Sequence, residues 1–123
     1  MTTESPPEAL DYDGLLDELG GDRQLRRQLL ELMIESTTQS AALIRTAHAA
    51  RDGSALANSA HKLKSALVAF GAGPAADAAS RLEDIGRSAD LTTASTVLEL
   101  LEGELTRLHA AVAQLLKSED VTQ

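Results

Sequence analysis

The chain has 123 residues, 43% of them hydrophobic, a formal net charge of −8 and no cysteine. That charge argues against nucleic acid, which demands a basic surface, and the absence of cysteine excludes disulfides and thiolate metal sites. The opening MTTESPPEAL lacks the basic and apolar regions of a signal peptide, and no apolar run approaches about 18 residues, so no membrane span is expected and the cytoplasm is the expected compartment.

The hydrophobic residues are mostly Leu and Ala, and Tyr12 and Phe70 are the only aromatics. Such a composition suits helices and not sheets. The length fits one domain with a modest core. Residues 1–9, with Pro6-Pro7, read as a flexible tail. A short helix is expected from Asp11 to Leu19, ended by Gly20-Gly21. Asp22 caps a long helix reaching about Arg51. Its inward face is expected to carry Leu25, Leu29, Leu32, Ser36, Leu43, Ala47 and Ala50, and Asp52-Gly53 breaks it. Ser54 is the expected N-cap of the next helix, which Gly71 closes. Pro74 suits the first turn of another helix, with Ala75, Ala78, Leu82 and Ile85 inward and a stop near Gly86. Asp90 or Thr92 then caps a last helix striped by Leu98, Leu101, Leu105, Leu108, Val112 and Leu115. Residues 119–123 form a polar tail. Short connections favour antiparallel neighbours. The expectation is therefore all-α: an antiparallel up-down four-helix bundle with a short extra N-terminal helix, over residues 10–118. A coiled-coil dimer would need heptads running through Gly53, Gly71 and Pro74, so a monomer is expected.

The segment Ala60-His61-Lys62-Leu63-Lys64-Ser65-Ala66 stands out. Leu56, Ala60, Leu63, Leu67 and Phe70 form an apolar stripe at helical spacing. At about 100° per residue, His61 lies about 140° from the centre of that stripe, which places it in solvent. Ala57, Asn58, Lys64, Ser65 and Val68 share its side, and Lys62 lies about a quarter turn further round. Ala57 and Ser65 are small enough to admit another protein. The expected docking face is thus Ala57, Asn58, Ser65 and Val68, with Lys62 and Lys64 at its rim. Between Ser54 and Arg81, Lys62, Lys64 and Arg81 stand against Asp77, a local formal charge of +2 in an acidic chain. Such a patch attracts anions, and an exposed imidazole beside ammonium groups is a suitable seat for a phosphoryl group.

Other chemistry finds less support. His48 and His109 have no basic cluster and read as structural or surface residues. No two histidines stand four apart, so no helical zinc site is expected. Glu83, Asp84, Glu99, Glu102 and Glu104 read as a solvated face. The chain has no Gly-rich phosphate loop for ATP and no nucleophile elbow. A partner protein would have to complete any active site.

Ala60-His61-Lys62-Leu63-Lys64, then Phe70-Gly71-Ala72, Leu82-Glu83 and Gly86-Arg87, resemble the pattern of the histidine-containing phosphotransfer (HPt) domain family. The leading Leu15-Leu16-Asp17-Glu18-Leu19-Gly20-Gly21-Asp22 is similar too, so the resemblance spans about residues 11–116. It implies a phosphorelay intermediate and not a kinase. His61 would accept a phosphoryl group from a receiver-domain aspartyl phosphate, or from a histidine kinase, and pass it to a response regulator. Lys64 corresponds to the lysine that steadies the phosphoryl oxygens. Ser65 occupies a position that is usually glycine. The implied partners are response-regulator receiver domains and a hybrid sensor histidine kinase. No cofactor is implied for this chain, because Mg²⁺ would sit on the receiver. Two other readings stand beside this one: a phosphotransfer fragment of a hybrid or chemotaxis-type sensor kinase, and a helical adaptor that is never phosphorylated. The initial Met and short polar tails favour a free-standing protein.

Overall fold

The structure, a computed structural model, describes residues 22–121, with side chains as far as residue 117. The short helix expected over Asp11–Leu19 and the tail at residues 1–9 lie outside the described residues. Four helices follow: α1 (Arg23–Ala49), α2 (Gly53–Ala69), α3 (Gly73–Ser88) and α4 (Ala94–Val121). The last runs past the expected boundary at residue 118.

Local chemistry sets the helix ends. Asp22 caps α1, its carboxylate accepting from the Leu25 N–H at 2.9 Å. Asp52, and not Ser54, caps α2, accepting from the Ala55 N–H at 3.0 Å. The expected cap was two residues late because Gly53 is already helical. Gly71, with φ 73°, adopts the left-handed turn that closes α2. Pro74 lies in the first turn of α3. That helix continues to Ser88, beyond the expected stop at Gly86. Asp90 folds the next loop, accepting from the Thr92 N–H at 3.1 Å and from its hydroxyl.

The helices form a ring in which α1 packs on α2 and α4, and α3 packs on α2 and α4. Cross-contacts run in opposite chain directions. Thr37 meets His109 and Arg45 meets Glu102, while Gly53 meets Gly86 and Lys64 meets Glu83. The bundle is antiparallel and up-down. Its centre is filled by Leu30, Met33, Ile44, Leu56, Leu63, Leu67, Leu82, Leu101, Leu108 and Val112, all fully buried. Each such side chain stabilises by about 1.5–3 kcal/mol relative to exposure.

The stripes expected on α2 and α4 point inward, apart from half-buried Phe70 and Leu115 at their ends. On α1 the expected face holds only in part: Ala47 is buried and Leu29 and Ser36 are half-buried, while the rest of the face is displaced by one residue. Leu25, Leu32, Leu43 and Ala50 are exposed, and the buried row is Leu30, Met33, Thr37, Ala41, Ile44 and Ala47. Adjacent apolar pairs such as Leu32-Met33 and Leu43-Ile44 supply two competing stripes. The row that wins runs through Thr37. Its hydroxyl reaches the Met33 carbonyl at 2.7 Å and His109 Nε2 at 2.7 Å. A hydroxyl has one hydrogen, and the short approach to the carbonyl requires it there. His109 therefore donates from Nε2, and the buried threonine is fully satisfied.

The α2 and α3 backbones approach closely at Gly53 and Gly86. A Cβ on Gly86 would lie 2.7 Å from the Ala57 nitrogen and 2.7 Å from the Gly53 oxygen. A Cβ on Gly53 would lie 2.8 Å from the Gly86 oxygen. All of these are backbone atoms and cannot swing aside. Gly103 on α4, by contrast, has open space around it. Gly86→Ala should therefore destabilise by about 1–3 kcal/mol through overpacking. Gly103→Ala should stabilise by up to about 1 kcal/mol through helix propensity. Urea unfolding of the two variants checks both signs.

Burial lowers the His109 pKa from its usual 6.5. The unfolded chain then takes up that proton before the folded one, so stability declines as pH falls below 6.5. Melting temperatures measured from about pH 7 to pH 5 should fall more for the wild type than for His109→Gln.

Candidate functional site

His61 and Lys64 stand one turn apart on α2, and Glu83 and Arg87 one turn apart on α3. The Gly53–Gly86 contact holds the two helices close enough for these side chains to meet. Glu83 is the centre of the group. Its side chain is only 8% exposed, yet it gathers three basic partners. Its Oε2 accepts from His61 Nδ1 at 3.1 Å, from Arg87 Nη2 at 2.6 Å and from Arg87 Nε at 3.1 Å. Its Oε1 takes Lys64 Nζ at 3.1 Å. Charge-assisted bonds of this kind offset the cost of burying a carboxylate. The Arg87 guanidinium, the Lys64 ammonium and then the His61 ring hold its carboxyl down at about 2, against the upward pull of burial.

This arrangement fixes the histidine's chemistry. An ionised carboxylate only accepts hydrogen bonds, so Nδ1 of His61 carries the hydrogen. The neutral ring then has its lone pair on Nε2. The His61 side chain is 52% exposed. One carboxylate faces two permanent cations, so the site has a formal excess of one positive charge before any ligand arrives. It combines an oriented nucleophilic nitrogen with surplus positive charge next to it.

The expectations for individual residues divide. His61 is exposed, with Lys64 beside it, and Asn58, Lys62, Ser65 and Val68 are exposed along the same helix. Ala57 is not. It is buried, with its backbone against Gly86, so its place on an accessible face is corrected. Glycine at 86 lets α3 cover it. Glu83 is the second correction: expected on a solvated face, it is buried and holds the site together. The signal lay in the Leu82-Glu83 pair, where a glutamate follows a core leucine on a helix packed against the histidine's own. Glu102 and Glu104 are half-buried and pair with Arg45 and Arg107, while Asp84 and Glu99 remain exposed. His109 is a half-buried structural residue, as expected. Among the described residues no group of three or more His, Asp or Glu could hold a metal ion. No described helix is long and apolar enough to cross a membrane.

A family model of the Hpt domain matches residues 28–111, which includes the four residues of the site. The chain belongs to the Hpt domain family. It is thus a histidine phosphotransfer domain of two-component signalling, a class of intermediates distinct from kinases. The fold agrees. The crystal structure of histidine-containing phosphotransfer protein B (HptB) from Pseudomonas aeruginosa PAO1 matches with a TM-score of 0.85 at 24% identity, over 93% of this chain and 98% of that one. At that identity the likeness is one of fold alone. No curated protein matches the chain by sequence.

Depression of the Glu83 pKa makes this four-residue cluster an acid-sensitive tie between α2 and α3. The unfolded carboxyl titrates near 4.5 and the folded one near 2. The stabilisation is complete above the first value and is lost as pH falls toward the second. Glu83→Gln should lower stability at neutral pH, since the amide cannot offset Lys64 and Arg87. The gap to wild type should narrow between pH 4.5 and about 2. Chemical unfolding at a series of pH values measures it.

Proposed function

We propose that this protein is a phosphorelay intermediate in which His61 Nε2 carries the phosphoryl group. The observation that carries this reading is the Glu83–His61 bond, which leaves Nε2 bare and outward beside Lys64. The Nε2 lone pair attacks phosphorus of an aspartyl phosphate on a receiver domain. An N–P bond forms as the O–P bond breaks, and that electron pair leaves with the receiver's carboxylate. The ring becomes cationic while keeping its Nδ1 hydrogen, and Glu83 offsets the new charge. Transfer to a second receiver is the reverse of this step. Such transfer depends on positioning and charge more than on covalent help from the protein, and a preorganised carboxylate supplies both.

Lys64 neutralises the phosphoryl oxygens, moving from Glu83 Oε1 toward the incoming group. Arg87 remains on Oε2 and keeps Glu83 ionised. Lys62 adds a weaker, screened attraction. The docking face is Asn58, Ser65 and Val68, rimmed by Lys62; Val68, 64% exposed, is its apolar contact. The partners are receiver domains of response regulators, with a hybrid sensor histidine kinase upstream. Mg²⁺ is contributed by the receiver, and this chain binds neither a cofactor nor ATP. The domain begins near residue 10, ends with α4 rather than at residue 118, and works as a monomer in the cytoplasm.

The test is phosphoryl transfer from a panel of Mg²⁺-loaded, phosphorylated receiver domains, with His61→Gln alongside. Wild type should gain one phosphoryl group, labile in acid and stable in base, and His61→Gln should gain none while keeping its helicity. Lys64→Ala should transfer about tenfold more slowly or worse. Equal labelling of His61→Gln, or no labelling of folded wild type by any receiver, overturns the assignment.

A further inference from the structure

Ser65 stands where the family pattern usually has glycine, and its surroundings give it a chemical role. It is exposed on α2, one turn beyond His61. At about 100° per residue, Lys64 falls about 60° to one side of His61 and Ser65 about 40° to the other. Lys64 is drawn toward α3 by Glu83. Ser65 therefore occupies the flank of His61 that turns away from α3. Its Cβ tilts toward the helix N-terminus, as in every α-helix, and so toward the turn that bears His61.

The hydroxyl is also free. Hydroxyls inside helices often bond the carbonyl four residues back. Thr37, Thr46 and Thr106 do so, at 2.7, 3.1 and 2.9 Å. The Ser65 hydroxyl makes no hydrogen bond among the described residues, so its one hydrogen is available to a ligand. A phosphoryl group offers three strong acceptor oxygens. The Lys64 ammonium serves the side nearest α3; on the other side Ser65 stands nearer His61 than Lys62, which lies about 100° round the helix.

We propose that the Ser65 hydroxyl donates a hydrogen bond to the phosphoryl group on His61, completing with Lys64 a two-sided clasp that holds the phosphorylated form. This rests on the reading of His61 as the phosphoacceptor. The clasp acts on the charged oxygens of the stored group. A loose transition state weakens the bond to nitrogen without needing that clasp, so the hydroxyl slows loss of phosphate. Its role is that of a ligand, not of a steric gate against the receiver.

The experiment omits the receiver. Wild type, Ser65→Ala, Ser65→Gly and His61→Gln are phosphorylated with phosphoramidate, a small phosphoryl donor, and followed by ³¹P NMR. Wild type should carry phosphate on His61. Ser65→Ala and Ser65→Gly should both lose it about threefold to tenfold faster, the span of one ordinary hydrogen bond. Their phosphoryl resonance should also shift and titrate at higher pH, an effect that a purely steric residue does not produce. If both variants keep the wild-type lifetime and titration, the clasp is wrong while the phosphoacceptor stands. If folded wild type takes no phosphoryl group on His61, the reading of the site fails and the clasp fails with it.

Discussion

One buried carboxylate organises this molecule. Glu83 is nearly sealed from solvent, and an ionised group there is tolerable only because Arg87, Lys64 and His61 converge on it. The four residues stabilise one another: remove the carboxylate and three basic groups face each other, remove the cations and the carboxylate is stranded. The same bonds that relieve the burial also choose the histidine tautomer. Fold stability and nucleophile orientation thus share one set of contacts, and neither can be altered alone.

That convergence requires two helices at unusually short range. The glycine pair at positions 53 and 86 brings the α2 and α3 backbones together, and the small residues of α3 (Ala75, Ala76, Ala78 and Ala79) continue the close seam. The contact also sets register. A slide of one turn would put Glu83 opposite a different residue, so the steric fit at one end of the seam determines which side chains meet at the other. Asp52 and Gly71 bound α2 on either side of the chemistry and leave His61 in a stiff helix interior, away from fraying ends.

Much of this was legible beforehand because helical periodicity is a strong signal when only one stripe is apolar. On α2, Leu56, Leu63 and Leu67 left His61 a single place to go. On α1 adjacent apolar residues offer two stripes, and the buried one runs through a polar residue, Thr37, whose partner His109 sits 72 positions away. Ala57 misled for a related reason: its small size suggested access, but small residues also permit burial under a neighbouring helix. Glu83 shows the deepest limit. A glutamate reads as solvated until the three basic partners around it are known, and they come from two helices whose register depends on glycines that carry no side-chain signal.

Among the described residues, polar contacts between helices fasten two opposite seams of the bundle. One, between α2 and α3, holds the histidine site. The other, between α1 and α4, is fastened by Thr37 with His109 and by Arg45 with Glu102. The two seams share a hydrophobic centre. The second lies away from the Glu83 cluster and touches none of its four residues. A sensor or a tether attached along α1 and α4 would therefore sit on the opposite seam from the Glu83 cluster, with the hydrophobic centre between them.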